Sequence, residues 1–493
     1  MFYTQLVPQD PSKNVSPIPL VCRTQKIMSR LSITDFLRAG LGEYVWLHHG
    51  AGFLAAGAAC SWSSESCAVP HYSAPYHKRF SAAQHWWDER VQHAQIISDP
   101  ASAKPPEDLS SKLMAFGSFP FSATSARPSM LTIPEVIVHL SPADSGAASH
   151  VHSLEKAPIY EGLYEGWVCL IQPKHLSHPL SAAASHLYRQ VLALCMAEDG
   201  SDLHTNTDLY ASTPLHMPSR AREEDTSQRA QFSFSPDDSC YKAAFNRVID
   251  AIDSGNVQKV VLARRAEFYA PHQINEQDIL AQLSDSYPTC WAFLYDHFLG
   301  ATPEMLLNIH GGICESLVLA GTQKNTPGCS HESLKRSEKN RAEHQYALDS
   351  VLAAMKPFGH TCTSDEPFVL ELPNVAHLAS YVRTPLAAHV GAFSILEALH
   401  PTAAVGGTPR SAAIDMINDI EMMDRERFAG PIGWVNAAGD AQWGLALRCM
   451  QLTSVHTGYL WAGGGIVAGS ECEDEASEVH AKLLPLKTLL NCA

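Results

Sequence analysis

The chain has 493 residues, of which 45% are apolar, and a formal net charge of -16. This composition allows a large core, and the negative charge disfavours a broad surface for nucleic acid or anionic membrane. The thirteen cysteines form no CxxC pair, the N-terminus does not resemble a signal peptide, and no apolar run approaches a membrane span. These features predict a cytoplasmic protein with reduced thiols, without a disulfide framework or a structural zinc site.

The first half of the chain, residues 1–230, is predicted to consist mainly of strands. Segment 43–59 has the pattern of a strand, a glycine turn and a second strand. Further strands are predicted in segments 19–27, 113–121 and 131–140. The polar segment 204–228 contains prolines and shows no clear periodicity, which indicates a linker or a long loop.

The second half, residues 231–493, mixes helices with short strands. Apolar residues at helical spacing predict a helix in 238–256, ending near Gly255. A strand is predicted in 257–269, and a meander with turns at Gly300 and at Gly311–Gly312 is expected to follow. A long helix is then expected over 331–355. Strands joined partly by hairpins and partly by helices favour an α+β fold over a regular βαβ array.

A glycine-rich stretch near the end of the chain superficially resembles a dinucleotide fingerprint. Gly463, Gly465 and Gly469 have comparable spacing, but only one helix and no second strand can follow them. The chain also lacks the Gly-Lys-Ser/Thr sequence of a P-loop. These glycines therefore predict a tight turn or a close backbone approach, and nucleotide binding is disfavoured.

Acidic residues follow these glycines at helical spacing. Glu475, Glu478 and Lys482 would lie on one face of a helix that Pro485 kinks or ends. Two carboxylates one turn apart suit a hard divalent cation such as Mg²⁺, and the lysine would hold an anion beside it. A solvated acidic helix start, stabilised by the helix dipole, is the alternative and is favoured from this stretch alone.

Two further polar residues stand next to apolar strands. Lys259 begins the run KVVLA, where burial would favour a role as a base, and the alternative is an exposed lysine on an edge strand. Glu304 follows Pro303 and precedes an apolar strand, where an apolar pocket would raise its pKa and let it donate a proton. The alternative for Glu304 is a simple turn residue.

Three more residues complete the set of candidates. Glu343 shares a helix face with apolar residues and is a possible third metal ligand, and its alternative is an ion pair with Lys339. Arg448 lies in an apolar strand-like run, where its planar guanidinium would suit a carboxylate. For His377, also in an apolar run, a hydrogen-bonded core histidine is favoured. Together the candidates describe an active site for a small, anionic, oxygen-rich substrate.

The candidates fall within a series of ordered motifs. The series KVVLAR, GATPE, LAGT, KNRAEH, HPTAAVGGTPR, DRERFAGPIGW, LALR and AGGGIVAGS resembles the chorismate-utilising enzymes, from about residue 21 to the end. This family comprises anthranilate, aminodeoxychorismate, salicylate and isochorismate synthases, and the chain is most similar to isochorismate synthases of the menaquinone or siderophore type. The resemblance implies one α+β unit of two packed, largely antiparallel sheets built from both halves, with helices outside and segment 204–228 as an internal excursion.

The resemblance also implies residue roles in a reaction that converts chorismate to isochorismate. Lys259 matches the base that activates water for attack at C2, and Glu304 matches the acid that protonates the leaving C4 hydroxyl. Glu343 and Glu478 match Mg²⁺ ligands, with Glu475 in a water-bridged position. The positions expected to bind the carboxylates or line the substrate site are Gly321, Thr322, His377, Ala404, Phe428, Arg448, Gly463, Gly464, Gly465 and Lys482.

Differences within the family favour water as the nucleophile. Relatives that use ammonia have no lysine at the position of Lys259, and they tend to have threonine at the position of Ala404. One type of aminodeoxychorismate synthase has a nucleophilic lysine at the position of Ala320. No glutamine amidotransferase partner is therefore expected. Salicylate synthase is the closest alternative, although such enzymes usually have tyrosine at Phe428, and a non-catalytic partner subunit is a more distant one. The family commonly has arginine directly after the AGT motif, and this chain has Gln323 there. The resemblance therefore does not carry over any contact that this arginine makes.

Overall fold

The computed structural model describes residues 20–64, 78–98, 112–143, 163–173, 179–196, 229–325 and 331–492. The segment 204–228 predicted as a linker lies outside these residues. The described strands are β1 (Leu20–Ser29), β2 (Tyr44–His48), β3 (Ala51–Ala56), β4 (Cys60–Ser63), β5 (Gln95–Ser98), β6 (Met114–Ser118), β7 (Met130–Ile133), β8 (Val136–Pro142), β9 (Tyr164–Pro173), β10 (Cys195–Met196), β11 (Gln231–Ser235), β12 (Lys259–Tyr269), β13 (Trp291–Tyr295), β14 (Phe298–Thr302), β15 (Met305–His310), β16 (Ile313–Lys324), β17 (Thr363–Ser364), β18 (Phe368–Glu371), β19 (Val375–Pro385), β20 (Gly407–Thr408), β21 (Pro431–Asn436), β22 (Ala441–Leu445), β23 (Cys449–Leu452) and β24 (Thr457–Val467). The described helices are α1 (Ile33–Arg38), α2 (Lys78–His93), α3 (Ala182–Leu194), α4 (Asp238–Asp253), α5 (Glu276–Ser286), α6 (Glu332–Arg336), α7 (Glu338–Met355), α8 (Ala392–Leu399), α9 (Arg410–Ile420) and α10 (Cys472–Cys492).

The described strands form two sheets, and each sheet contains strands from both halves of the chain. The first has the order β10-β1-β9-β8-β3-β2-β13-β14-β23-β24-β12-β11, with β5 beside β1 and β20 beside β12. The second has the order β17-β19-β16-β15-β22-β21-β6-β7-β4, with β18 beside β19. The halves meet where β2 pairs with β13 and β6 pairs with β21, both antiparallel. The prediction of two largely antiparallel sheets with helices is confirmed.

Alternating side chains on the first sheet serve two separate cores. Trp46 and Phe293 point toward the second sheet, and the indole nitrogen Nε1 of Trp46 donates to Gln442 Oε1 at 2.7 Å across the interface. Val45 and Leu294, their neighbours in sequence, belong to the core beneath the helices of the opposite face. This alternation follows from the two-residue period of a strand and requires both faces to be apolar. Across the described helices, none is both long enough and apolar enough to cross a lipid bilayer.

The hairpin turns differ from the prediction at one position. The turn at Gly311–Gly312 is confirmed, since both residues have positive φ between β15 and β16. The predicted turn at Gly300 is wrong because Gly300 lies inside β14, and the turn is formed by Asp296 and His297. A Cβ on Gly300 would lie 2.6 Å from the carbonyl oxygen of Arg448, so this glycine permits close strand approach.

Two of the predicted helix boundaries also differ. The long helix expected over 331–355 is divided into α6 and α7 at Ser337, whose hydroxyl accepts a hydrogen bond from Asn340 N and caps α7. Helix α10 does not end at Pro485 but continues to Cys492. Leu483 and Leu486 are both buried on either side of this proline. Their burial offsets the hydrogen bond that proline cannot make.

Candidate active site

Lys259 is placed at the base of the site by strand β12. It is the first residue of β12 and lies between Thr408 of β20 and Val467 of β24, so the edge-strand alternative is wrong. Its side chain is fully buried, and Nζ lies 3.1 Å from Glu343 Oε1. Within the described residues Nζ makes no directed hydrogen bond. A buried amine without a hydrogen bond has donor or acceptor capacity left for a ligand.

Glu304 occupies the short connection between β14 and β15, and it is only 5% exposed. Thr302 fixes this connection, because its hydroxyl donates to Leu445 O at 2.6 Å and accepts from Glu304 N at 3.2 Å. Burial raises the pKa of Glu304 to about 8, although Lys259 and other nearby cations lower it in part. The carboxyl is therefore mostly protonated at neutral pH, and it is not a simple turn residue.

The acidic residues pair with lysines that sequence spacing does not identify. The alternative interpretation of Glu343, an ion pair with Lys339, is wrong, because Lys339 Nζ lies 2.6 Å from Glu475 Oε1 on another helix. Ser470 also donates to that oxygen at 2.8 Å. Glu475 is only 3% exposed, so the solvated acidic helix start is wrong at this residue. Burial and the neighbouring Glu478 raise the pKa of Glu475.

Glu478 has the opposite electrostatic environment. Its Oε1 lies 2.6 Å from Lys482 Nζ, one turn further along α10. Burial acts to raise the pKa of Glu478, but Lys482, together with Lys339 and Arg448, outweighs it and lowers the pKa below its ordinary value. Lys482 Nζ also donates to Gly463 O at 2.8 Å, which fixes the ammonium group beside the glycine strand.

A second polar group lies between β16, β19 and the entry to β23. Arg448 Nη2 lies 3.0 Å from His377 Nε2, and His377 Nδ1 lies 3.1 Å from Thr322 Oγ1. Burial and the nearby Arg448 hold the pKa of His377 well below its usual range, so the ring is neutral. Because a guanidinium only donates, Nε2 accepts and the proton resides on Nδ1, which donates to Thr322. The Thr322 hydroxyl, which lines the cavity, can then donate its own hydrogen to another acceptor.

Two glycines of β24 are required by different neighbouring side chains. A Cβ on Gly465 would overlap Glu343 Oε1 and lie 2.8 Å from Lys259 Cε, so only glycine admits both side chains. A Cβ on Gly464 would instead lie 3.1 Å from Glu475 Oε2, on the side of α10. Neither residue has a positive φ. Close side-chain approach, and not a turn, explains these two glycines.

These groups surround a cavity that is open to solvent and lined by both polar and apolar residues. The predicted residues that line it are Glu304, Thr322, Glu343, His377, Ala404, Phe428, Arg448, Gly463, Gly465 and Lys482. Lys259 lies directly behind Glu343 and Gly465, and Glu475, Glu478 and Gly464 lie beside them. Gly321 packs against α7, where a Cβ would lie 2.7 Å from Asn340 O.

Sequence analysis missed several residues of this cavity. Arg425, Trp461, Leu319 and Val261 also line it. Arg425 belongs to the DRERFAGPIGW motif, but a charged residue in a polar segment gave no sign of burial. Trp461 precedes the three glycines, and its indole lies parallel to the ring of Phe428 at 6.5 Å and 7°. Only the packing of β24 against the 425–429 segment shows this wall.

The carboxylates near the cavity match the ligand preference of Mg²⁺, which is for oxygen atoms. Burial lowers the pKa of Lys339, but Glu475, Glu343 and Glu478 together raise it above its ordinary value. The three acids are thus all near one lysine. In the described part of the chain, no three potential ligand side chains lie close enough to form a ready-made metal site. The carboxylate oxygens are of the type that Mg²⁺ prefers, and in this arrangement each of the three carboxylates is paired with a lysine.

Comparison with known proteins identifies the family. The family model described as "Chorismate binding enzyme" matches residues 182–491, which is well over half of the chain. The chain belongs to this family. The resemblance to chorismate-utilising enzymes predicted from the ordered motifs is therefore confirmed.

Individual relatives agree with this assignment. The salicylate biosynthesis isochorismate synthase of Pseudomonas aeruginosa is 32% identical over 315 residues, covering 61% of this chain and 66% of that protein. Isochorismate synthase DhbC of Bacillus subtilis is 30% identical over 289 residues, covering 55% and 72%. The matched regions thus span about two thirds of the length of these relatives. The menaquinone-specific isochorismate synthase MenF of Escherichia coli shares the fold, with a TM-score of 0.66, 19% identity and 97% coverage of both chains.

Proposed function

We propose that this family member is an isochorismate synthase, which adds water at C2 of chorismate and expels the C4 hydroxyl. The observation that supports this most directly is a mostly protonated buried carboxyl, Glu304, that lines the cavity, together with a fully buried lysine, Lys259, behind the cavity residues Glu343 and Gly465. The relatives named isochorismate synthase support the same reaction. Chorismate is the proposed substrate.

In the proposed mechanism, base and acid act on opposite faces of the ring. Lys259 takes a proton from the attacking water, because its Nζ makes no directed hydrogen bond to the described residues. Glu304 gives its proton to the leaving hydroxyl, since a carboxyl with a pKa of about 8 is in the acid form at neutral pH. Proton transfers of this kind need the ring fixed between the two groups.

The proposed substrate is a dianion and the protein has a formal net charge of -16, so cations near the cavity must offset the repulsion between them. Arg448 and Lys482 line the cavity and are proposed to hold its carboxylates. We propose that Glu343 and Glu478 bind Mg²⁺, with Glu475 contributing through water. When bound, the ion would neutralise a substrate carboxylate and withdraw electron density from it. Orientation by Arg448 follows from its contact with His377, which limits its rotamers.

Water, and not ammonia, is the proposed nucleophile. Ala404 lines the cavity and offers no hydroxyl to orient ammonia, and a glutamine amidotransferase partner is not proposed.

Salicylate synthase remains the closest alternative. Phe428, which replaces the tyrosine of those enzymes, is buried and stacked on Trp461, so no phenol hydroxyl enters the cavity. A cytoplasmic location is also proposed, supported by free thiols at ten cysteines of the described residues.

A product assay tests this function. Purified protein is incubated with chorismate and Mg²⁺, with and without ammonium, and the products are separated by chromatography. Isochorismate alone, at a constant ratio to the remaining chorismate, is the expected result. Salicylate with pyruvate would assign the alternative enzyme and show that Phe428 does not prevent elimination. Absence of turnover in every condition would favour a non-catalytic partner subunit.

The metal assignment predicts a binding defect in Glu478→Gln. The neutral amide keeps the size of the side chain but loses its charge, so affinity for Mg²⁺ should fall at least about tenfold. Isothermal titration of Mg²⁺ in the absence of substrate measures this directly. Glu473→Gln, an exposed position in the first turn of α10, is the matched control and should titrate like the wild type. Equal affinities for both variants would contradict the assignment.

A further inference from the structure

Strand β12 has a gap in its hydrogen-bonded ladder on one side. Strand β24 pairs with it along its whole length, from Lys259 to Tyr269. On the other side, β20 pairs only with Lys259 and Val260, and β11 pairs only from Arg265 onward. Between these two strands, the carbonyl of Val261 and the amide of Ala263 need partners from elsewhere.

Two side chains close this gap in place of a strand. Arg425 Nη2 donates to Val261 O at 2.7 Å, and Ala263 N donates to Glu421 Oε1 at 2.8 Å. The two side chains also bond to each other, through Arg425 Nε and Glu421 Oε2 at 2.8 Å. Each residue is only 3% exposed. A buried ion pair of this kind is strongly constrained, because loss of either partner leaves the other charge buried and unpaired.

The same guanidinium also bonds to the segment that leads into β20. Arg425 Nη1 donates to Val405 O at 2.8 Å, and the group lies 4.2 Å above the ring of Phe121. This segment runs beside β12, because Val261 N donates to Gly406 O at 2.8 Å and Val260 pairs with Gly407. Ala404, Val405, Val261 and Arg425 all line the cavity. One side chain therefore joins the strand that begins at Lys259 to the wall that contains Ala404.

We propose that Arg425 and Glu421 form a positioning pair that holds the cavity wall at residues 404 and 405 against β12, beyond the end of the ladder between β12 and β20. Each nitrogen of the guanidinium already donates to a protein acceptor, so Arg425 has a positioning role and not the carboxylate-binding role proposed for Arg448. The pair acts through the two backbone segments it fixes. On the proposed function, the position of this wall beside the strand of Lys259 defines where the ring stands relative to the base.

Arg425→Lys tests this proposal, because lysine keeps the charge but cannot join two carbonyls and a carboxylate in one plane. We expect kcat for isochorismate formation to fall at least about 30-fold, with KM for chorismate changed less than about threefold. Arg264→Lys is the matched control. Arg264 is a buried arginine of β12, the strand that Arg425 contacts, and its guanidinium bonds to Pro236 O and Asp238 outside the cavity. Thermal melting measures the folded fraction of each variant.

Rescue distinguishes positioning from a loss of folded protein. In Arg425→Ala, guanidinium chloride at millimolar concentration should restore part of kcat, whereas sodium chloride and urea should not, and Arg264→Ala should not respond. If the alanine variant does not fold, Glu421→Gln is measured by the kinetic criterion given for Arg425→Lys. A kcat for Arg425→Lys within threefold of the Arg264→Lys control, at equal folded fraction, would overturn the proposal. The comparison uses whichever product the wild type forms, so failure of the proposed function is detected separately in the wild-type assay.

Discussion

Lys259→Ala is expected to lose turnover by about 10²- to 10⁴-fold, the usual contribution of a general base. The loss follows from the position of Nζ, which is fully buried and 3.1 Å from Glu343 at the edge of the substrate cavity. No other lysine of the described residues pairs with Glu343, so no neighbour replaces it. Formation of isochorismate from chorismate at saturating Mg²⁺, measured by chromatography over time, gives the rate.

The Lys259→Ala protein should remain folded. Its partner Glu343 has a side-chain exposure of 12%, so water can reach the carboxylate after the lysine side chain is removed. Lys242→Ala on the exposed face of α4 is the matched control and should retain wild-type kinetics and melting temperature. If the Lys259→Ala protein kept more than about a third of wild-type kcat, the assigned role in water activation would be incorrect, since general-base losses are far larger.

Glu304→Gln is expected to reduce kcat/KM about 10²- to 10⁴-fold, because the amide cannot donate the proton that the leaving hydroxyl requires. The wild type should also show a characteristic pH dependence. The competent form is the protonated one, and its pKa is about 8 because burial disfavours the charge. The rate constant kcat/KM should therefore fall about tenfold per pH unit above this pKa.

The pH profile separates this role from a structural one. In Glu304→Gln the residual activity should lack the alkaline decrease, since the titrating group is gone. Glu267→Gln, an exposed position on β12, serves as the control and should keep the wild-type profile. A wild-type kcat/KM that stays constant well above pH 8, or a Glu304→Gln variant that retains the decrease, would show that another group is the acid.

The sequence alone identified the chemical groups of the site and most of the fold. The strands on either side of His49 and Gly50, the helix before Gly255 and the order of the motifs were readable because hydrophobic period and turn residues are local properties. The family followed from the same motifs.

Only the tertiary structure decided which charged groups meet. Helical spacing offered Lys339 as the alternative partner of Glu343, but Lys339 of α7 pairs with Glu475 of α10, and Glu343 pairs with Lys259 of β12. An ion pair depends on distances between elements far apart in sequence, which local periodicity does not contain. The predicted turn at Gly300 was wrong for a related reason, because this glycine is required by the close approach of β14 to Arg448 and Cys449, which are distant in sequence.

The burial of polar residues was likewise a property of the assembled sheets. Lys259 is compatible with an exposed edge or a buried interior, and only the strands on both sides of β12 exclude the edge. Arg425 and Glu421 have the appearance of surface residues in sequence, yet they complete a ladder that no strand completes. The sequence by itself determined which groups are present. The packing of two sheets from both halves decided their burial, and burial sets the protonation state on which the proposed chemistry depends.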